Sequence, residues 1–288
     1  MGNFHKNPNL ISLPWIESDF FYSQLKTKKI SREFKRYAIK FHEDGYCVVD
    51  LGLSKKKINE IIKTVDNLSK SKDVKLNPKI YHYNKSPRII EGWKKSKTIK
   101  ELALNKKILK LLNFLYRKKP IPINTINFIK GSDQPLHSDY IHFSSSPHKY
   151  LTAAWVALED TNINNGPLMV VPRSHKLDII DYSFFNISTP RSMNELSKYY
   201  KVYEKYIKQL VKEKKLTIKP IFMKKGQALI WAANLLHGGT KIVDTNSTRY
   251  SQVTHYHFEG CNFYYNPGFS NPLKGEFAYR NLEKLRIS

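Results

Sequence analysis

A change of hydrophobic period constrains this chain most. Up to Arg117 the apolar residues recur at helical spacing, and beyond Pro120 and Pro122 they fall into short segments rich in β-branched and aromatic residues. Ser31 is placed to cap a helix running to about Glu43, with Phe34, Tyr37, Ala38 and Phe41 on one face and Gly45 ending it. Tyr46 to Asp50 reads as a short strand. Ser54 then caps a second helix, in which Ile58, Ile61, Ile62, Val65 and Leu68 keep the helical period. After a polar, irregular stretch to about Lys97, a third helix is expected from Thr98 to Arg117, stopped by the prolines.

Strands are expected at 123–130, 149–159, 168–172, 217–223, 227–232 and 249–258, separated by turn residues such as Asn162 to Pro167 and Lys224-Lys225-Gly226. Residues 192–215 break the series with a helical pattern rich in Tyr and Lys. Helices followed by a run of strands imply an α+β chain whose later part is a sandwich or jelly roll. The expected organisation is an arm at 1–30, a main domain at 31–260 and a C-terminal extension at 261–288. Within the main domain, helical support fills about 31–119, the strand core about 120–260, and a helical insertion about 176–216. Such insertions between strands often cover binding sites.

The segment Gln134-Pro-Leu-His137-Ser-Asp139 carries the chemistry. In an extended strand, residues two apart point the same way, so His137 and Asp139 can address one metal ion. His237 follows the 227–232 strand. Two imidazoles and one carboxylate form a facial triad suited to Fe(II), which leaves three positions open for a bidentate 2-oxo acid and O2. Twelve residues beyond His237 stands Arg249, with Ser251 at the same strand parity. An arginine fork beside a hydroxyl is a receptor for the distal carboxylate of 2-oxoglutarate.

With these residues in order, the chain resembles the phytanoyl-CoA dioxygenase family over about residues 33–260. The resemblance includes Phe41-His-Glu-Asp-Gly45-Tyr-Cys-Val-Val, His137-Ser-Asp139, Leu151 to Asp160, Asn165-Gly-Pro167 through Val171-Pro172-Arg-Ser-His175, then His237 and Arg249. It implies a double-stranded β-helix (a cupin-like jelly roll) flanked by helices, with Fe(II) held by His137, Asp139 and His237 between the sheets. It also implies an oxygenase that consumes 2-oxoglutarate and O2, with Trp155 and Gln134 against the cosubstrate. Asn124 or Asn127 is a further contributor, and strand parity alone does not choose between them. Arg173 departs from the pattern, which often has glycine there. His175 belongs to a structural turn in this family, and His255 and His257 read as packing residues on the Arg249 face. The carboxylate of Asp139 favours hydroxylation over halogenation, whose enzymes lack it. The tyrosine-rich 182–206 region is a candidate lid over the open face.

The net charge of +25 raises the possibility of an oxygenase acting on nucleic acid. Against it, the 49 basic residues comprise 40 lysines and only 9 arginines, whereas base and phosphate readout favours the arginine fork. Repair demethylases of this superfamily carry a second arginine six residues after the first, where this chain has His255. No nucleic-acid partner is therefore expected. The basic surface favours an anionic substrate, small or carrier-linked. A cupin-like metalloenzyme without a 2-oxo acid would leave Arg249 with no purpose, and a non-catalytic jelly roll is opposed by the intact triad. Cys47 and Cys261 cannot build a disulfide framework. With no signal-peptide pattern, no membrane-length apolar run and Lys6 where myristoylation needs Ser or Thr, a cytoplasmic protein is expected. Oligomeric state is not written in the sequence.

Overall fold

The computed structural model describes residues 13–71, 88–180, 185, 192–265, 270, 275, 277–281 and 286–287. The N-terminal helices are α1 (Phe21–Lys26), α2 (Arg32–Asp44), α3 (Lys55–Lys70), α4 (Lys97–Ala103) and α5 (Lys106–Tyr116). The strands are β1 (Tyr46–Asp50), β2 (Arg88–Ile90), β3 (Pro120–Phe128), β4 (Phe143–Ser146), β5 (Leu151–Ala157), β6 (Leu168–Val170), β7 (Lys219–Ile221), β8 (Gln227–Ala232), β9 (His237–Gly239), β10 (Ser251–Phe258), β11 (Asn262–Tyr265) and β12 (Ala278–Tyr279). Between β6 and β7 runs α6 (Met193–Glu213).

The expected caps form. Ser31 Oγ accepts from Phe34 N and Ser54 Oγ from Lys57 N, and Gly45 ends α2 at φ +83°. The third helix is corrected. It breaks at Leu104, and Asn105 caps a separate α5 through its side-chain oxygen to Lys107 N and Ile108 N. The apolar period runs through both pieces, which is why the sequence reads as one helix. The prolines expected as stops open β3 instead. Pro122 pairs with Tyr256 of β10, while its carbonyl accepts from Ile287 N. A strand residue's N and O share one edge, so the missing N–H lies away from the β10 ladder.

Among the described residues, β1-β8-β5-β10-β3-β2 form an antiparallel sheet, with β7-β6-β9 and β12-β11-β4 as smaller ones. The large sheet is buried on both faces with a period of two. Ala154, Val156, Ala228, Ile230, Tyr256 and Phe258 pack with the helices. Ala153, Trp155, Leu229, Trp231 and Val253 face inward, against Leu168 and Val170 of β6. The inner side of this mixed helix-and-sheet fold is where the site lies.

Part of the segment read as an arm belongs to the core, since Trp15, Ile16, Phe21 and Leu25 are buried with the helices. Part of the extension joins a sheet, β11 pairing with β4 and β12. Residues 1–12, most of the irregular stretch before Lys97, and much of 181–191 lie outside the described residues.

Candidate metal centre

His137, Asp139 and His237 are buried together, each offering a ligand atom within 4.8 Å of the others. The backbone sets this up. His137 and His237 exchange both of their N–H···O bonds at 2.9 Å, forming an isolated antiparallel bridge. Asp139 N donates to Ala233 O at 2.9 Å. The expectation of one extended strand is corrected here. Asp139 opens a short 3-10 helix capped by the Ser138 hydroxyl, so the chain turns between the two ligands and still delivers both. Gly238 is required beside them, because a β-carbon there would stand 2.5 Å from Gln134 O.

Each histidine has its tautomer fixed. His137 Nδ1 lies 2.9 Å from Pro135 O and His237 Nδ1 2.9 Å from Leu235 O. A carbonyl only accepts, so Nδ1 carries the proton and Nε2 keeps its lone pair, as metal ligation needs. Burial, and for His137 then the neighbouring imidazoles, pushes both pKa values down, so both are neutral at physiological pH. Burial alone would raise the Asp139 carboxyl, but His237, then His255 and His137, hold it well below the carboxylate range. Two neutral imidazoles with unprotonated Nε2 atoms and one carboxylate in a buried group make a donor set that fits a divalent transition metal.

A second buried polar group lies further along the same inner face. Arg249 is 1 % exposed, and its guanidinium stands 5.2 Å over the Trp155 ring while Nη1 donates to Gly166 O. It sits just before β10, bonded through N to Ile129 O, and not within a strand beginning at 249. Burial, then nearby Arg88, lowers its pKa to about 10, which leaves it charged. Arg249 Nε, Ser251 Oγ and Trp155 Nε1 are buried without a hydrogen-bond partner. Buried polar atoms are rarely left so, and these three lie along one inner face.

Gln134 lies beside the triad, its amide nitrogen 3.1 Å from His137 Nε2 and 3.4 Å from the Tyr200 hydroxyl. The register decides between the two asparagines. Asn124 pairs with His255 on the inner face and Oδ1 is 2.9 Å from His255 Nδ1, whereas Asn127 donates to Gln252 on the helix side. His255 Nε2 lies 3.7 Å from Asp139 Oδ1, so this histidine borders the centre. His257 does not, its ring nitrogens facing Phe258 O and Asn262 O. His175 bonds His42 O, in the structural role its turn suggested.

Several neighbours of the centre carry little or no signal in the sequence. Trp231 Nε1 donates to Asp139 Oδ2 at 2.8 Å, His142 lies 5.7 Å from the His137 ring, and Arg88 is buried close enough to depress Arg249. Only Trp231 carried a signal, its inner parity on β8. From α6, Tyr203 OH accepts from Ser138 N at 2.9 Å and Tyr200 stacks on His142 at 5.5 Å.

Residues 41–249 match the family described as phytanoyl-CoA dioxygenase (PhyH). This chain belongs to the phytanoyl-CoA dioxygenase family. It is 25 % identical over 148 residues to a probable phytanoyl-CoA dioxygenase of Caenorhabditis elegans, covering 51 % of this chain and 43 % of that protein. It is 24 % identical over 196 residues to the peroxisomal phytanoyl-CoA dioxygenase of Rattus norvegicus, covering 68 % and 51 %. The chain thus spans about half the length of these relatives or less. Among solved structures, the epimerase SnoN from nogalamycin biosynthesis, in complex with Fe3+, alpha ketoglutarate and nogalamycin RO, superposes with a TM-score of 0.61 at 18 % identity, covering 86 % of this chain and 96 % of that one. EctD from S. alaskensis, with 2-oxoglutarate and 5-hydroxyectoine, gives 0.57 at 19 %, covering 80 % and 76 %. At these identities the likeness is one of fold. The SnoN structure holds Fe3+ and alpha ketoglutarate, and the EctD structure holds 2-oxoglutarate.

Proposed function

We propose that this protein is an Fe(II)- and 2-oxoglutarate-dependent dioxygenase that hydroxylates an unactivated C–H bond of a small or carrier-linked metabolite. His137, Asp139 and His237 would hold the iron. Arg249 and Ser251 would hold the distal carboxylate of 2-oxoglutarate, with Trp155 and Gln134 against its body. The large sheet and the β7-β6-β9 sheet are then the two faces of a double-stranded β-helix, within a catalytic domain of about 31–260.

The observation that carries this reading is the set of orphaned polar atoms on Arg249, Ser251 and Trp155, buried along one inner face from a His-Asp-His group whose imidazoles are neutral. Four residue steps along β10 lead from Ser251 to His255, roughly 13 Å at ~3.3 Å per residue, a span that a five-carbon diacid and the reach of arginine can bridge. Bound iron would supply the oxidation, in which substrate, 2-oxoglutarate and O2 give hydroxylated substrate, succinate and CO2. The chain's part is positioning. Arg249 fixes the diacid by a charge-assisted fork, His137 and His237 keep their Nδ1 protons donated to backbone carbonyls, and the α6 tyrosines wall one side from water. The basic surface supports an anionic substrate.

The test is anaerobic addition of Fe(II) and 2-oxoglutarate to wild type, His137→Ala and Arg249→Ala, read by the visible metal-to-ligand charge-transfer band. A wild-type band lost in His137→Ala and weakened in Arg249→Ala supports the reading; a folded wild type without a band overturns it. Stimulated succinate release then identifies substrates.

A further inference from the structure

The two oxygens of Asp139 have different neighbours. Oδ1 lies 3.6 Å from His237 Nε2 and 3.7 Å from His255 Nε2, so it faces these two imidazoles. Oδ2 points elsewhere and accepts from Trp231 Nε1 at 2.8 Å. Trp231 is 2 % exposed on the inner face of β8, with its ring 4.6 Å from that of His237. An indole N–H donates and never accepts, and a buried hydrogen bond to a carboxylate is stronger than a neutral one.

We propose that Trp231 is a positioning residue that reserves Oδ2 and makes Asp139 a one-oxygen ligand. The inference rests on the ligand assignment above. A carboxylate can chelate through both oxygens, and a second bond from Asp139 would take one of the three positions that a bidentate 2-oxo acid and O2 require. Turning the Asp139 carboxylate to present Oδ2 breaks the Trp231 bond between two buried groups. His255 guards the other oxygen and is itself held, with Nδ1 2.9 Å from Asn124 Oδ1. The centre is thus framed by an indole on one side and an Asn124–His255 pair on the other.

The test compares wild type, His137→Ala, Trp231→Phe and Trp231→His by anaerobic Fe(II) titration and by the charge-transfer band with 2-oxoglutarate. Trp231→Phe keeps the aromatic packing and loses the donor, so Fe(II) affinity should fall on the order of tenfold and the band should shift or weaken. Trp231→His, with a ring N–H, should recover part of both. Wild-type affinity and spectrum in Trp231→Phe would remove this inference alone, and so would a Trp231→His variant as impaired as Trp231→Phe, since the loss would then be one of packing. Iron binding that survives His137→Ala would remove the ligand assignment and this inference with it. A readout that needs no substitution at Trp231 comes from 15N-tryptophan labelling, with its indole signal assigned by elimination through Phe substitutions at Trp15, Trp93 and Trp155. That signal should stay protected from exchange after Zn(II) loading, and exchange on loading would overturn the proposal.

Discussion

Arg173 occupies a left-handed backbone conformation, φ +71°, and its N–H donates to Asp44 O at 3.0 Å. A side chain there costs about 1–2 kcal/mol, while glycine would add roughly 0.5–1 kcal/mol of unfolded-state entropy. Arg173→Gly should therefore stabilise the protein by about 0.5–1 kcal/mol in thermal unfolding; a loss of stability would reveal a contact of the arginine that outweighs the strain. The turn of the family pattern is kept in spite of the departure, and the backbone bears the cost. At Arg249 the fork decides. Arg249→Lys keeps the charge and loses the planar pair of donors, so the KM for 2-oxoglutarate should rise roughly 10–30-fold with Fe(II) affinity unchanged, measured by succinate production and metal titration. The triad was legible because its spacing and order carry chemistry that survives the error about the local strand: His137 and Asp139 meet through a turn, and only their nearness in the chain mattered. Trp231 and Arg88 were not legible as site residues. One reads as any strand aromatic and the other as a surface charge until the register of β8 on β5, and of β2 on β3, brings them inward.

Caps and periods were readable where local energy dominates. Ser31, Ser54 and Gly45 end their helices as their chemistry requires, because the orphan N–H and C=O groups of a helix terminus are satisfied within a few residues. The break before α5 was missed because an asparagine inside an apolar period is also tolerated in a helix interior. Its cap is testable. Asn105→Ala removes the acceptor for Lys107 N and Ile108 N and should cost about 1 kcal/mol in urea unfolding; no cost would mean that packing of Leu111, Leu112 and Leu115 alone holds α5. The short strands β2, β4 and β9 were missed for a different reason. Three or four residues carry no period of their own, and they become strands only because a neighbour offers a ladder. The α6 helix was legible as a helix, but its role as a wall rests on two tyrosine hydroxyls that reach Gln134 and Ser138, which tertiary packing alone decides.

Charge and burial act on the molecule as a whole. Of the arginines that a nucleic-acid reader would need, Arg88 and Arg249 are inside, so the surface charge is overwhelmingly lysine, a point charge that steers anions without reading them. Among the described residues no helix is long and apolar enough to cross a membrane. The interior has the opposite vulnerability, because it holds neutral imidazoles. His137, His142, His175 and His237 all have pKa values pushed down, by burial first, and His142 falls to about 4 from an ordinary 6.5. Each folded value lies below the unfolded one. Above pH 6.5 neither state binds the proton and the metal-free protein has its full stability. As the pH falls below 6.5 the unfolded chain takes up protons that the native interior refuses, so stability drops continuously toward pH 4, where the native His142 also begins to charge. Asp139, held low, adds a loss of the same sign only below the ordinary carboxylate value of 3.8. Urea unfolding of metal-free protein between pH 8 and 4.5 should therefore lose the histidine contribution below about pH 6.5. The loss is offset in part by Glu204, whose carboxyl pKa burial raises to about 7 and which favours the folded state as it takes up its proton. General self-repulsion of a +25 chain predicts a fall too, so a variant must separate them. His142→Phe keeps the stack on Tyr200 and removes one buried titrating ring, and it should flatten part of the decline. An unchanged slope would assign the acid sensitivity to surface charge instead of to the buried centre.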